Sequence, residues 1–153
     1  MAITRRLARE IALKSLYQIA IGGMSPSDAL EAVLEESPPE TADRHAEIAW
    51  EAIQEYARGL VLGVVKNGEE YDAVLSRYAR EWDPNRMPTV DHILLHIALQ
   101  EIRESEDVPH GVAIHEAVEL AKVYSTDDSP KFINGILGNY VRTEGPEAPQ
   151  TEK

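Results

Sequence analysis

The 153-residue chain contains no cysteine, which excludes disulfide bonds, thiolate metal ligands and cysteine nucleophiles. Its most continuous apolar run, residues 60–65, is far shorter than the ~18–20 residues that a membrane-spanning helix needs. The amino terminus carries charges but lacks the apolar segment of a secretory signal. We therefore expect a soluble cytoplasmic protein with no membrane partner and no cofactor.

Basic residues are scarce relative to acidic ones. The chain has 15 Lys and Arg against 27 Asp and Glu, a formal net charge of −12 at pH 7, which argues against non-specific binding to nucleic acid. The charge is unevenly distributed: residues 1–20 hold four basic side chains and one acid, whereas residues 28–55 hold nine acids and one arginine. A small basic patch on an acidic body can select one anionic partner, and it is equally consistent with a solvated chain end.

Apolar residues recur at helical spacing along the chain, and no stretch alternates in the manner of a strand. The pattern predicts an all-α fold, a compact bundle of seven helices at about residues 4–21, 25–36, 42–66, 69–81, 89–105, 111–124 and from 128 onward. We expect one helical domain over residues 1–142, made of two small helical subdomains at about 4–67 and 68–142. Residues 143–153 are expected to form a disordered tail.

Local signals predict where several of these helices begin and end. Gly22-Gly23 is expected to end the first helix and Asn67-Gly68 the third. Ser25 followed by Pro26 is typical of a helix start, and Asp128 or Ser129 is expected to cap the last helix. The helix at 89–105 is apolar nearly all round, which predicts that it is the central buried element.

Catalytic and metal-binding signals are weak in this sequence. No nucleophile elbow, Walker A motif or dinucleotide fingerprint occurs, so nothing indicates an enzyme. His92 and His96 lie four residues apart on one predicted helix, a spacing that can place two imidazoles on one zinc ion. The spacing suggests no third ligand, however, and we predict no metal site.

The first helix combines arginines with an aromatic ring. Arg5 and Arg9 are neighbours at i, i+4. A second row of residues at helical spacing, called the predicted lane below, begins at Arg6 and runs through Glu10 and Leu13 to Tyr17. Arginine presents a planar fork to phosphate, and an aromatic face can stack on an unpaired base. The alternative for Tyr17 is a place in the core, because aromatic rings dominate helix packing.

A second combination of a cationic side chain and an aromatic ring occurs at the predicted start of the last helix. Free N–H groups at a helix start favour anions, and here Lys131 lies next to Phe132. The alternative is a capped helix whose phenylalanine is buried.

Two blocks of sequence resemble the NusB family of bacterial transcription antitermination factors. The first block spans residues 4–20 and includes RRLARE and LYQ; the second spans 107–141 and includes VAIHEAVELAKVYSTDDSPKFINGIL. The resemblance implies a seven-helix fold of two subdomains and no catalysis. It implies binding to boxA, a short single-stranded element of nascent ribosomal RNA, together with NusE, a ribosomal protein of the small subunit. The RNA polymerase elongation complex would be an indirect partner, and some members self-associate as homodimers.

Candidate RNA-binding residues follow from this resemblance by position. They lie in the first helix, at the start of the last helix, and at one position where the family commonly has an arginine and this chain has histidine: Arg5, Arg6, Arg9, Tyr17, His96, Asp128, Lys131 and Phe132.

Two alternatives remain open from the sequence. One is a helical protein-interaction module that does not bind RNA. The other is the NusB-like domain of a ribosomal RNA methyltransferase, which would require a Rossmann-type domain downstream of Lys153.

Overall fold

The computed structural model describes residues 2–36, 44–80 and 82–145. Within these ranges the chain forms α-helices, one 3₁₀ turn at Ser76–Tyr78 and connecting loops, with no strand. No described helix is both long enough and apolar enough to cross a membrane. The helices are α1 (Ala2–Gly22), α2 (Pro26–Glu36), α3 (Arg44–Leu75), α4 (Thr89–Glu104), α5 (His110–Tyr124) and α6 (Ser129–Glu144).

The expected helix break at Asn67-Gly68 is wrong, so six α-helices rather than seven cover the described residues. α3 continues through both residues, and among the described glycines a positive φ occurs at Gly23 (φ 71°). Asn67 instead donates a side-chain hydrogen bond to the Tyr71 hydroxyl one turn later. Burial of Tyr71, Val74 and other apolar residues after the pair favours a continuous helix, since packing outweighs the weak local stop signal.

The chain divides into two compact units, Met1–Lys66 and Asn67–Lys153. In the first unit α1 packs against α2. α1 ends at Gly22, and Gly23 follows it in the left-handed conformation, so the predicted helix end is confirmed. The Ser25 hydroxyl accepts the Asp28 backbone N–H at 3.1 Å, which confirms Ser25 as the cap of α2. The expected break at Pro38-Pro39 lies outside the described residues.

The second unit is built around α4, as its apolar sequence predicts. From Ile93 to Ile102 every residue of α4 is buried, and α5 and α6 pack against it. α6 continues to Glu144, one residue past the predicted start of the disordered tail; residues 146–153 lie outside the described part.

A buried hydrogen bond joins the end of α3 to α4. The Tyr71 hydroxyl donates to Gln100 Oε1 at 2.6 Å, and the Tyr71 side chain is almost fully buried. Burial raises the pKa of Tyr71 to about 12 from its usual 10.0, because a phenolate loses hydration in this site.

We expect this tyrosine to make the protein less stable at alkaline pH. In the unfolded chain Tyr71 ionises near pH 10, so its contribution is fully present below that pH and is lost as pH rises toward 12. Between about pH 9 and 11.5 the wild type should lose about 2 kcal/mol of unfolding free energy more than Tyr71→Phe, which cannot ionise. Urea unfolding of both proteins at these pH values measures the difference. Equal losses would contradict the expectation.

Candidate functional site

The exposed face of α1 carries positive charge and an aromatic ring. Arg6 and Lys14 are exposed, and the Tyr17 side chain is 41% exposed. Tyr17 is therefore not a core residue, which settles the alternative left open by the sequence. The predicted lane is only partly a surface feature, since Leu13 within it is buried. Lys14 is exposed on this face instead.

The other two arginines of α1 lie in different environments. The Arg5 guanidinium lies over the Tyr56 ring, 4.4 Å from its centroid, a cation–π contact that fixes a half-buried side chain. Arg9 is only 3% exposed, because it lies on the side of α1 that also buries Ala12 and Leu13. Of the three arginines in the predicted cluster, Arg6 is exposed, Arg5 is half-buried and Arg9 is buried.

At the start of α6, Asp128, Lys131 and Phe132 are all exposed, with Phe132 at 36%. The Phe132 ring therefore has an accessible face, in contrast to the alternative in which it is fully buried. Asp128 precedes the helix but makes no side-chain capping hydrogen bond, so that part of the capping prediction is wrong. A carboxylate, an ammonium and a ring thus lie at a helix amino terminus, where backbone N–H groups favour negative charge.

A buried carboxylate on α4 holds this surface in place. Asp91 is 2% exposed, and its two oxygens accept hydrogen bonds from the hydroxyls of Ser125 at 2.5 Å and Ser129 at 2.9 Å. The Ser129 hydroxyl also accepts the backbone N–H of Thr126 at 3.2 Å. Asp91 is not among the residues predicted from the sequence. An acid inside an apolar helix was the available signal, because a buried charge needs partners.

His96 lies inside the second unit rather than on its surface. It is 5% exposed, and its Nε2 lies 2.9 Å from Asp72 Oδ1, while His92 Nε2 lies 2.7 Å from the same oxygen. Although burial opposes ionisation of Asp72, hydrogen bonds from His96 and His92 keep the pKa of this carboxyl below its usual value. Burial, with the nearby His96, lowers the pKa of His92.

The NusB family model matches residues 6–142. The chain belongs to the NusB family. It is 46% identical over 141 residues to the transcription antitermination protein NusB of Symbiobacterium thermophilum, covering 92% of this chain and 90% of that protein.

Solved NusB structures have the same fold. T. maritima NusB superposes with a TM-score of 0.77 at 34% identity, covering 93% of each chain. A chain from a crystal structure of antitermination factors NusB and NusE in complex with dsRNA superposes with a TM-score of 0.76 at 25% identity, covering 93% of this chain and 98% of that chain. The NusB match spans every candidate RNA-binding residue except Arg5, which lies one position before it.

Proposed function

We propose that this NusB-family protein is a non-catalytic transcription antitermination factor that binds boxA-like single-stranded RNA in nascent ribosomal RNA transcripts together with NusE. The observation that carries the proposal is the pair of exposed aromatic rings, Tyr17 and Phe132, each on a surface with a cationic side chain. Its relatives are named transcription antitermination proteins, and a similar chain occurs in a complex of NusB and NusE with dsRNA.

The chemistry of these surfaces suits unpaired RNA. Arg6, Lys14 and Lys131 would neutralise phosphates, while Tyr17 and Phe132 would stack on bases. The exposed Asp128 carboxylate would accept hydrogen bonds from base amino groups, as acidic side chains do at cytosine. Arg5 would contribute to phosphate neutralisation from its half-buried position. RNA contact by the buried Arg9 and His96 stays a prediction from the family resemblance.

The acidic surface suits a basic protein partner. Residues 28–55 contain nine acidic residues. Seven of them are exposed on α2 and α3: Asp28, Glu31, Glu35, Glu36, Glu47, Glu51 and Glu55. Ribosomal proteins are generally basic, and opposite potentials speed encounter. We propose NusE as this partner, and RNA polymerase as an indirect partner through the elongation complex. We also propose that the two helical subdomains are the functional units. Self-association into a homodimer also stays a proposal.

Titration of a fluorescent boxA-like RNA with this protein, with and without NusE, tests the function. We expect binding to the single strand to exceed binding to a scrambled sequence and to the same sequence as a duplex, and NusE to raise the affinity. Measurements at one fixed salt concentration are required, because phosphate contacts make affinity salt-dependent. Binding to NusE without any selective binding to RNA would instead indicate the protein-interaction module.

Arg6→Ala is expected to reduce the salt dependence of RNA binding. One lost phosphate contact should lower the slope of log K against log salt by about 0.7 for a single strand. Fluorescence anisotropy at several salt concentrations measures this slope. Arg86→Ala is a matched control, because Arg86 is an exposed arginine outside both surfaces, paired with Asp83 at 3.6 Å. An unchanged slope in Arg6→Ala would remove Arg6 from the RNA contacts.

A further inference from the structure

Three metal-ligating side chains meet where the end of α3 lies beside α4. The ligand atoms of Asp72, His92 and His96 all lie within 4.8 Å of one another, the one such group found in residues 2–36, 44–80 and 82–145. The two histidines occupy one face of α4 at i, i+4, with ring centroids 4.3 Å apart. Asp72 supplies the third ligand that the sequence spacing did not reveal.

We propose that Asp72, His92 and His96 bind a divalent transition-metal ion, with Zn²⁺ the best match. Two imidazole nitrogens and one carboxylate oxygen are a ligand set that zinc accepts, with bonds of about 2.0–2.2 Å and a fourth position taken by water. Imidazole in the set makes Mg²⁺ and Ca²⁺ poorer candidates, because these ions prefer oxygen.

The two distances from Asp72 require a small adjustment. Tetrahedral ligand atoms at zinc bond lengths stand about 3.3–3.5 Å apart, whereas Asp72 Oδ1 now lies 2.7 Å and 2.9 Å from the two Nε2 atoms. The carboxylate must therefore withdraw by about 0.5 Å or slightly more. Asp72 can make this movement, because its side chain is 31% exposed.

The surroundings provide both rigidity and access. His96 is buried and meets the Tyr71 ring edge-on at 5.9 Å, and the Trp82 ring lies 6.1 Å from His92. Exposure of the side chains increases from 7% at His96 to 25% at His92 and 31% at Asp72. An ion could enter from the Asp72 side, where water can complete its coordination, and it would tie α3 to α4.

Calorimetric titration of the full chain with ZnCl₂, after removal of bound metal with a chelator, tests the site. We expect one Zn²⁺ per chain and a rise in thermal midpoint of about 5–10 °C at saturation, since a ligand that binds the folded state stabilises it. Asp72→Asn and His92→Gln should each weaken binding by at least about tenfold, because each removes one of three ligands. Both positions are partly exposed, and circular dichroism in chelator checks that the variants fold.

His115→Gln is the matched control, since His115 is an exposed histidine on α5 and its loss should leave the affinity unchanged. Co²⁺ provides a second readout, because its visible absorption is much more intense in a four-coordinate site than in the aqua ion, and this intensity should fall in His92→Gln. Absence of Zn²⁺ binding would overturn the proposal. So would equal binding by wild type, Asp72→Asn and His92→Gln, which would assign the ion to the acidic surface and leave the cluster a hydrogen-bonded one.

Discussion

Replacement of Asp91 by alanine is expected to lower the free energy of unfolding by about 2–4 kcal/mol. The variant leaves the hydroxyls of Ser125 and Ser129 without the acceptor that lies 2.5 Å and 2.9 Å away. Ser129 is 1% exposed, so water cannot readily replace the lost carboxylate. Its hydroxyl can still donate to Ser125 Oγ at 3.0 Å, but the two serine hydroxyls then share one acceptor fewer than they need, and an unsatisfied donor is costly. Urea unfolding at neutral pH measures the loss.

Two further variants separate this hydrogen-bond network from a general effect of losing a charge. Asp91→Asn keeps one oxygen acceptor and nearly the same shape, so we expect a smaller loss, about half that of Asp91→Ala. Asp128→Ala removes an exposed carboxylate with no capping bond and should change stability by less than about 0.5 kcal/mol. A loss below about 0.5 kcal/mol in Asp91→Ala would contradict a structural role for the network.

Phe132→Ala is expected to weaken RNA binding by about 1–3 kcal/mol, or about 5- to 150-fold, because it removes a ring on which a base can stack. Phe132 is 36% exposed and therefore partly buried, so the same change should cost about 1–2 kcal/mol of stability, in contrast to about 3–5 kcal/mol for a core phenylalanine. Anisotropy titration with boxA-like RNA and thermal unfolding of the same preparation measure the two quantities.

Phe132→Tyr is the control for the ring itself, because it keeps the aromatic face and should retain affinity within about threefold. Loss of RNA affinity in the tyrosine variant equal to that in the alanine variant would contradict stacking. A large loss of stability in Phe132→Ala with unchanged affinity would place the residue in the core rather than at the RNA.

Much of the helical layout could be predicted from local sequence patterns. Capping chemistry predicts the end of α1 at Gly22-Gly23 and the start of α2 at Ser25-Pro26, and apolar periodicity predicts that α4 is buried. Both signals act over a few residues. The predicted break at Asn67-Gly68 was wrong because packing outweighed a local signal. A stop signal of that kind is weak, and burial of Tyr71 beyond it favours continuation of the helix.

The exposure of the candidate RNA-binding residues was predicted less accurately than the helices. Arg6, Lys131 and Phe132 are on the surface, as RNA contact requires, whereas Arg9 and His96 are buried. Residue type and spacing indicated where charge and rings concentrate along a helix. They could not indicate which side of that helix packs against its neighbours, because the apolar and polar residues of α1 are not sharply segregated.

By itself the sequence determined that the protein is helical, that its charge is concentrated in opposite signs along the chain, and which blocks resemble the NusB family. Those properties depend on residues close together in the chain. Only the tertiary structure decided that Asp91 bonds to residues 34 and 38 positions away, and that Asp72 meets two histidines 20 and 24 positions away. Such contacts depend on how distant helices pack, and local periodicity contains no information about that packing.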